Sequence, residues 1–147
     1  MKGLYLWSLL AVLSFSCKDK SGSVSDSVKE EPFVYDMYQP SEMALLMEEM
    51  YNHGLKTKQD IIDGKQPVDF PLEFLKIHSA EFSKGKGRNE IFDNFSKLFI
   101  ETQKQVYETD TEIDLKDRHN NSVNVCITCH QTECTGPIPR IKKLLIQ

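Results

Sequence analysis

Cys126-Ile127-Thr128-Cys129-His130 is the densest group of reactive side chains in the chain. Two thiols separated by two residues, with an imidazole directly after, make the C-x-x-C-H pattern through which haem is attached covalently. Each thiol adds across one vinyl group of the macrocycle, and the adjacent imidazole then lies where it can bind iron. On a helix the sulfurs stand about one turn apart, and the next ring is directed at the metal. With 4 Cys and 4 His in 147 residues, chance supplies the pattern about 0.003 times. Two other chemistries fail on context. A redox-active C-x-x-C opens a helix after a strand in a βαβ pattern, which this chain lacks. A structural zinc site needs further ligands at similar spacing, and only Cys134 and isolated histidines remain. The expectation is one haem c, held through Cys126 and Cys129, with His130 as the proximal iron ligand.

The N-terminus fits an exported protein. Met1-Lys2 precedes an uncharged apolar run from Gly3 to Phe15, too short to span a membrane but suited to a signal-peptide core. Ser16 before Cys17 resembles a bacterial lipoprotein cleavage site, whose cysteine becomes the lipidated first residue. The leucine usual three places before that cysteine is here Ser14, with Leu13 one further back. The alternative is an ordinary secreted protein cut near the same point. The expected organisation is a signal peptide over residues 1–16, a lipidated N-terminus and flexible tether over 17–35, and a single domain over 36–147. The tether follows from composition, because Lys18-Asp19-Lys20-Ser21-Gly22-Ser23 cannot bury enough apolar surface to order itself. With Cys17, Cys126 and Cys129 assigned, Cys134 is left over, expected to pack as a small hydrophobe. A formal charge of −4 excludes a general nucleic-acid binder.

Four amphipathic segments must position the motif. Pro40-Ser41-Glu42 starts a helix, with Met43, Leu46, Met47, Met50, Tyr51 and Leu55 inward and an end near Ile62, before Gly64 and Pro67. Asp69 caps a second, shorter helix that turns Phe74, Ile77 and Phe82 inward, and Gly85-Lys86-Gly87 breaks it. The third carries Phe92, Phe95, Leu98, Phe99, Thr102 and Val106 on a 3.6-residue period. Glu108 to Asp114 makes a turn. The fourth runs from about Leu115 through the motif and stops before Gly136-Pro137. The pattern implies an all-α fold, an antiparallel four-helix bundle with the haem on the C-terminal helix. A covalent macrocycle would add apolar mass to a small core.

A haem motif near the C-terminus, on the last of four helices, resembles the class II cytochromes c, the cytochrome c′ and c-556 group. The resemblance covers roughly residues 40–131 and rests on the motif and its position. In low-spin members a first-helix methionine is the sixth iron ligand, and Met50-Tyr51-Asn52-His53-Gly54 looks like that methionine followed four residues later by glycine. Met50 is the first choice and Met47 the second; core filling is the competing role for both. Where the family often has an aromatic and a basic residue after the motif histidine, this chain has Glu133 and Cys134. Its tail is also longer, and Arg140, Lys142 and Lys143 are expected to form a solvated basic end, with contact to the haem propionates as the alternative. His53, His78 and His119 are expected to serve as ordinary helix or haem-edge residues.

The resemblance implies electron transfer in the periplasm or at the membrane surface, with redox partner proteins and no catalytic role. Neither nucleophiles nor paired carboxylates argue for catalysis. A homodimer through the first helices is compatible with it. The alternative is a five-coordinate haem that binds gases such as nitric oxide behind an apolar face of Leu46, Met47 and Phe95. A peroxidase lacks the polar distal residues it needs.

Overall fold

The computed structural model describes residues 39–147. The expected signal peptide (1–16), lipid-bearing Cys17, tether (17–35) and first residues of the 36–147 domain lie outside the described residues. Within them the chain is all-α: α1 (Glu42–Ile62), α2 (Glu90–Gln105), α3 (Leu115–Glu133) and a single turn, α4 (Ile138–Ile141). Two 3-10 helices, Leu72–His78 and Lys142–Leu144, complete it.

Each long helix starts on a side-chain cap that supplies an acceptor to an otherwise unpaired backbone N–H. Ser41 accepts from the Ala44 amide, Asn89 from the Phe92 amide and Asp114 from the Lys116 amide. α1 ends where Gly64 takes a φ of 73°, a left-handed conformation that glycine adopts without cost.

The second segment differs from expectation. Asp69 caps nothing; the residue before the first turn is Pro71, whose carbonyl accepts from the Phe74 amide. The segment is a 3-10 helix of 7 residues, and without a side-chain cap its first amide bond closes at the shorter i+3 spacing. Phe74 and Ile77 are nonetheless buried as their spacing requires, while Phe82 packs from the loop beyond. Leu55 and Leu98, expected inward, are exposed.

α2 packs along α3, and α1 reaches both α3 and the first 3-10 helix. The larger core joins Met43 and Leu46 of α1, Phe74 and Ile77 of the 3-10 helix, and Phe92, Phe99 and Ile100 of α2. Each such buried side chain contributes about 1.5–3 kcal/mol. Edge-on aromatic pairs set their packing, with ring centres 5.0 Å apart for Phe82–Phe92 and 6.4 Å for Phe70–Phe74. Polar contacts fix α3 against α2. Buried Arg118 donates to the carbonyls of Gln105, Glu108 and Ile113, tying down the intervening loop. Ser122 donates to Gln103 at 2.7 Å.

The tail is the second departure. Residues 136–147 fold back rather than trailing in solvent. Ile141 and Leu144 form a smaller core with Val123 and Ile127 of α3. Arg140 grips the Glu48 carboxylate with two guanidinium nitrogens at 2.5 Å and lies 3.9 Å from the Tyr51 ring centre. Lys58 donates to the carbonyls of Lys143 and Leu145, and Asn120 pairs with the backbone of Ile146 in both directions. Carbonyls at the chain's end that would otherwise face water thereby gain partners on α1 and α3.

Candidate functional site

The motif lies on the last turns of α3, and its helical phase divides the helix between two tasks. Val123 and Ile127 face the tail, Val125, Cys129 and His130 turn toward α1 and α2, and Cys126 lies between, packed against the tail cluster and lining the cleft. The last four form one wall of this open cleft. α1 contributes Met47 and Met50, and the 3-10 helix contributes Ile77. α2 adds Phe92, Phe95, Ser96 and Phe99. The cleft encloses about 350 Å³ with its mouth. Its cavity volume, about 40 Å³, is small beside a porphyrin, so seating one requires lining side chains to give way. Unbranched, half-buried Met47 and Met50 are suited to that.

His130 is held by its own helix end. Its Nδ1 lies 2.9 Å from the Cys134 carbonyl oxygen, which only accepts, so Nδ1 carries the proton and donates. Nε2 is left as the lone-pair nitrogen, the arrangement found for imidazoles that bind metals. Burial pushes the Cys126 thiol up to about 12, and burial with the Glu133 charge pushes Cys129 up to about 11. Both are protonated at neutral pH, unlike the depressed thiols of disulfide oxidoreductases. Among the described residues no three His, Cys, Asp or Glu side chains gather as a metal-ion site requires. The donor set fits a haem: two thiols and an imidazole on one wall, thioethers on another, and phenylalanines between them.

Met47 and Met50 lie three residues apart and so share a face of α1. Gly54, one turn further on, sits under the tail; a β-carbon there would come 3.1 Å from Leu144 Cδ1. Packing therefore accounts for this glycine.

Neither His53, His78 nor His119 lines the cleft. His53 Nε2 is 2.7 Å from the Tyr107 hydroxyl, and its ring stands edge-on to Phe74. Burial lowers its pKa. His119 is buried and donates from Nε2 to the Leu144 carbonyl at 3.0 Å, and burial lowers its pKa too. His78 is exposed, with Nδ1 3.4 Å from Ser96 Oγ. Cys134, expected to pack as a small hydrophobe, is exposed, because α3 ends there in an extended conformation. Leu46 is buried in the core but is not part of the cleft lining.

Sequence reasoning missed three lining residues. Ser96 sits between Phe95 and Phe99 on the apolar stripe, a small polar residue 2 % exposed where core was expected. Val125 stands on the helix that carries the motif, but no stripe read from the sequence includes it. Ile77 was expected in the core, and nothing in its spacing separates core from cleft. No helix among the described residues is long and apolar enough to cross a membrane. Comparison of the chain with protein-family models, curated proteins and solved structures returns no match.

Proposed function

We propose that this chain is a c-type cytochrome of the class II kind, an electron carrier with one haem attached through Cys126 and Cys129. The observation that carries the reading is convergence: residues 47, 50, 126, 129 and 130, far apart in sequence, line one apolar cleft. When bound, haem supplies a one-electron ferric/ferrous couple. The two thiols fix the group to α3 in both oxidation states. His130, its Nδ1 engaged by the Cys134 carbonyl, offers Nε2 as the proximal ligand. Met50 offers a thioether from α1, and Met47 stands one turn behind it as the second choice. Phe92, Phe95 and Phe99 keep water from the cleft, which limits solvent reorganisation around a changing charge. The fold on this reading is a four-helix bundle whose second helix is shortened to the 3-10 turn. A lipid on Cys17 holds the domain at the membrane, facing the periplasm or cell surface, where redox partner proteins reach it.

A second reading is a five-coordinate haem that binds a small gas. The phenylalanine wall favours it, because those side chains supply no ligand. Visible and near-infrared spectra of the haem-loaded protein, with and without carbon monoxide or nitric oxide, separate the two. The electron-carrier reading expects a low-spin spectrum with a sulfur-to-iron band and no gas uptake. A high-spin spectrum that shifts on adding gas replaces it with the second reading.

A further inference from the structure

Tyr107 stands just past the end of α2, its amide bonded to the Lys104 carbonyl. Gln66 holds the neighbouring Val106 carbonyl at 3.1 Å. The Tyr107 hydroxyl lies 2.7 Å from Nε2 of His53, 54 positions away on α1. Both side chains are half-buried, and buried Thr57 and Gln103 also face the phenol oxygen. Burial raises the pKa of Tyr107 and lowers that of His53, so at neutral pH the phenol keeps its proton and the imidazole is uncharged. Of the two, the phenol is the stronger acid; its O–H donates, and Nε2 accepts with its lone pair.

Ring contacts join the pair to the cleft. The His53 ring centre is 5.2 Å from that of Phe74, which is 6.0 Å from that of Phe99, a cleft residue. Phe70 adds a second link, 5.9 Å from Tyr107 and 6.4 Å from Phe74. Tyr51, the other tyrosine of residues 39–147, is placed differently. The Arg140 guanidinium carbon lies 3.9 Å from its ring centre, and that positive charge opposes removal of an electron.

We propose that Tyr107, with His53 as its base, is a redox-active site that yields one electron to an outer-sphere one-electron oxidant. As the electron leaves, the phenol O–H bond breaks and the proton forms a bond to His53 Nε2. The products are a neutral tyrosyl radical, a His53 imidazolium and an oxidant reduced by one electron. Because the proton crosses an existing hydrogen bond, Tyr107 passes through neither a phenolate nor a cation radical, both costly in a half-buried site. Lys56 opposes the resulting imidazolium, while Glu49 and Asp60 of the same helix favour it. Return of an electron draws the proton back to the phenol. Sequence spacing gave no hint of the pair, because α1 and the turn after α2 meet only in the fold.

The test uses the full-length, ferric haem-loaded protein as wild type, Y107F, Y51F and H53Q, with photogenerated tris(bipyridine)ruthenium(III) as oxidant. Electron paramagnetic resonance identifies the radical, and transient absorption times its formation in light and heavy water. Wild type is expected to form a neutral tyrosyl radical in a phase that slows in heavy water. Y51F keeps that phase and Y107F loses it. In H53Q it slows about 100-fold, the low end of what a positioned base contributes. A bond that only packs α1 against α2 would leave the rate unchanged by heavy water and by H53Q. Survival of the phase in Y107F overturns the assignment to Tyr107. Equal wild-type rates in the two solvents, or a wild-type rate in H53Q, overturn the role of His53. The solvent comparison needs no substitution, so it decides even where H53Q does not fold. The oxidant is external: a chain that takes up no haem defeats the haem reading and leaves this test standing.

Discussion

α3 is shared by two regions built on opposite principles. On its tail side, Val123 and Ile127 meet Ile141 and Leu144, and the contact is fastened by directional bonds from His119, Asn120, Lys58 and Arg140. On its cleft side, Cys126, Cys129 and His130 face methionines and phenylalanines, with Ser96 as the other polar side chain in the lining. The tail side has its polar groups matched within the chain. The cleft side gathers reactive groups that have little to do with one another until a ligand joins them. The difference separates what holds the fold from what the fold presents: losing a tail contact costs stability, whereas losing a cleft residue changes chemistry.

The sharpest contrast comes from the cysteines. Replacing Cys126 and Cys129 together by serine is expected to abolish covalent haem, while Cys134→Ser, exposed and outside the cleft, leaves it intact; mass spectrometry of the denatured chains reads both. Next in size, Leu144→Ala removes a buried side chain from the tail core and should cost about 2–5 kcal/mol in denaturant unfolding. The haem spectrum should survive it. Coupled loss of stability and axial ligation would erase the distinction between the two sides. Met50→Ala should then convert a low-spin site to high spin, with Met47→Ala unchanged. An unaltered spectrum in Met50→Ala removes it as the ligand.

The smallest effect belongs to His119. Its burial holds the folded-state pKa below the ordinary value of 6.5, so the unfolded chain binds more protons as the solution is acidified. Its contribution to stability is present above pH 6.5 and is lost as pH falls through the depressed value. His119→Gln should flatten that part of the stability–pH curve, while the motif's spectrum stays as it was. An unchanged slope would show that His119 does not titrate on unfolding.

The long helices were legible because their signals are local. Ser41, Asn89 and Asp114 cap, and Gly64 takes the left-handed turn after α1. The motif was legible for the same reason, since five adjacent residues carry it. The second segment was misread because Asp69, a good cap by type, stands two residues too early for a turn that begins after Pro71. The tail was misread because its basic residues suggested solvent. Ile141 and Leu144 bury themselves on α3, and Arg140 meets Glu48 in a pairing across 92 positions that no local pattern shows. Ser96 was invisible for a related reason: it matters only through the cleft that distant helices form.

The central claim is that Cys126 and Cys129 carry haem. The most direct measurement is the mass and thiol content of the denatured wild-type chain, produced in cells equipped to attach haem to exported proteins. The account predicts one haem per chain that survives denaturation, with Cys134 the only thiol of residues 39–147 open to alkylation. A chain without haem, whose Cys126 and Cys129 alkylate freely once unfolded, would contradict it.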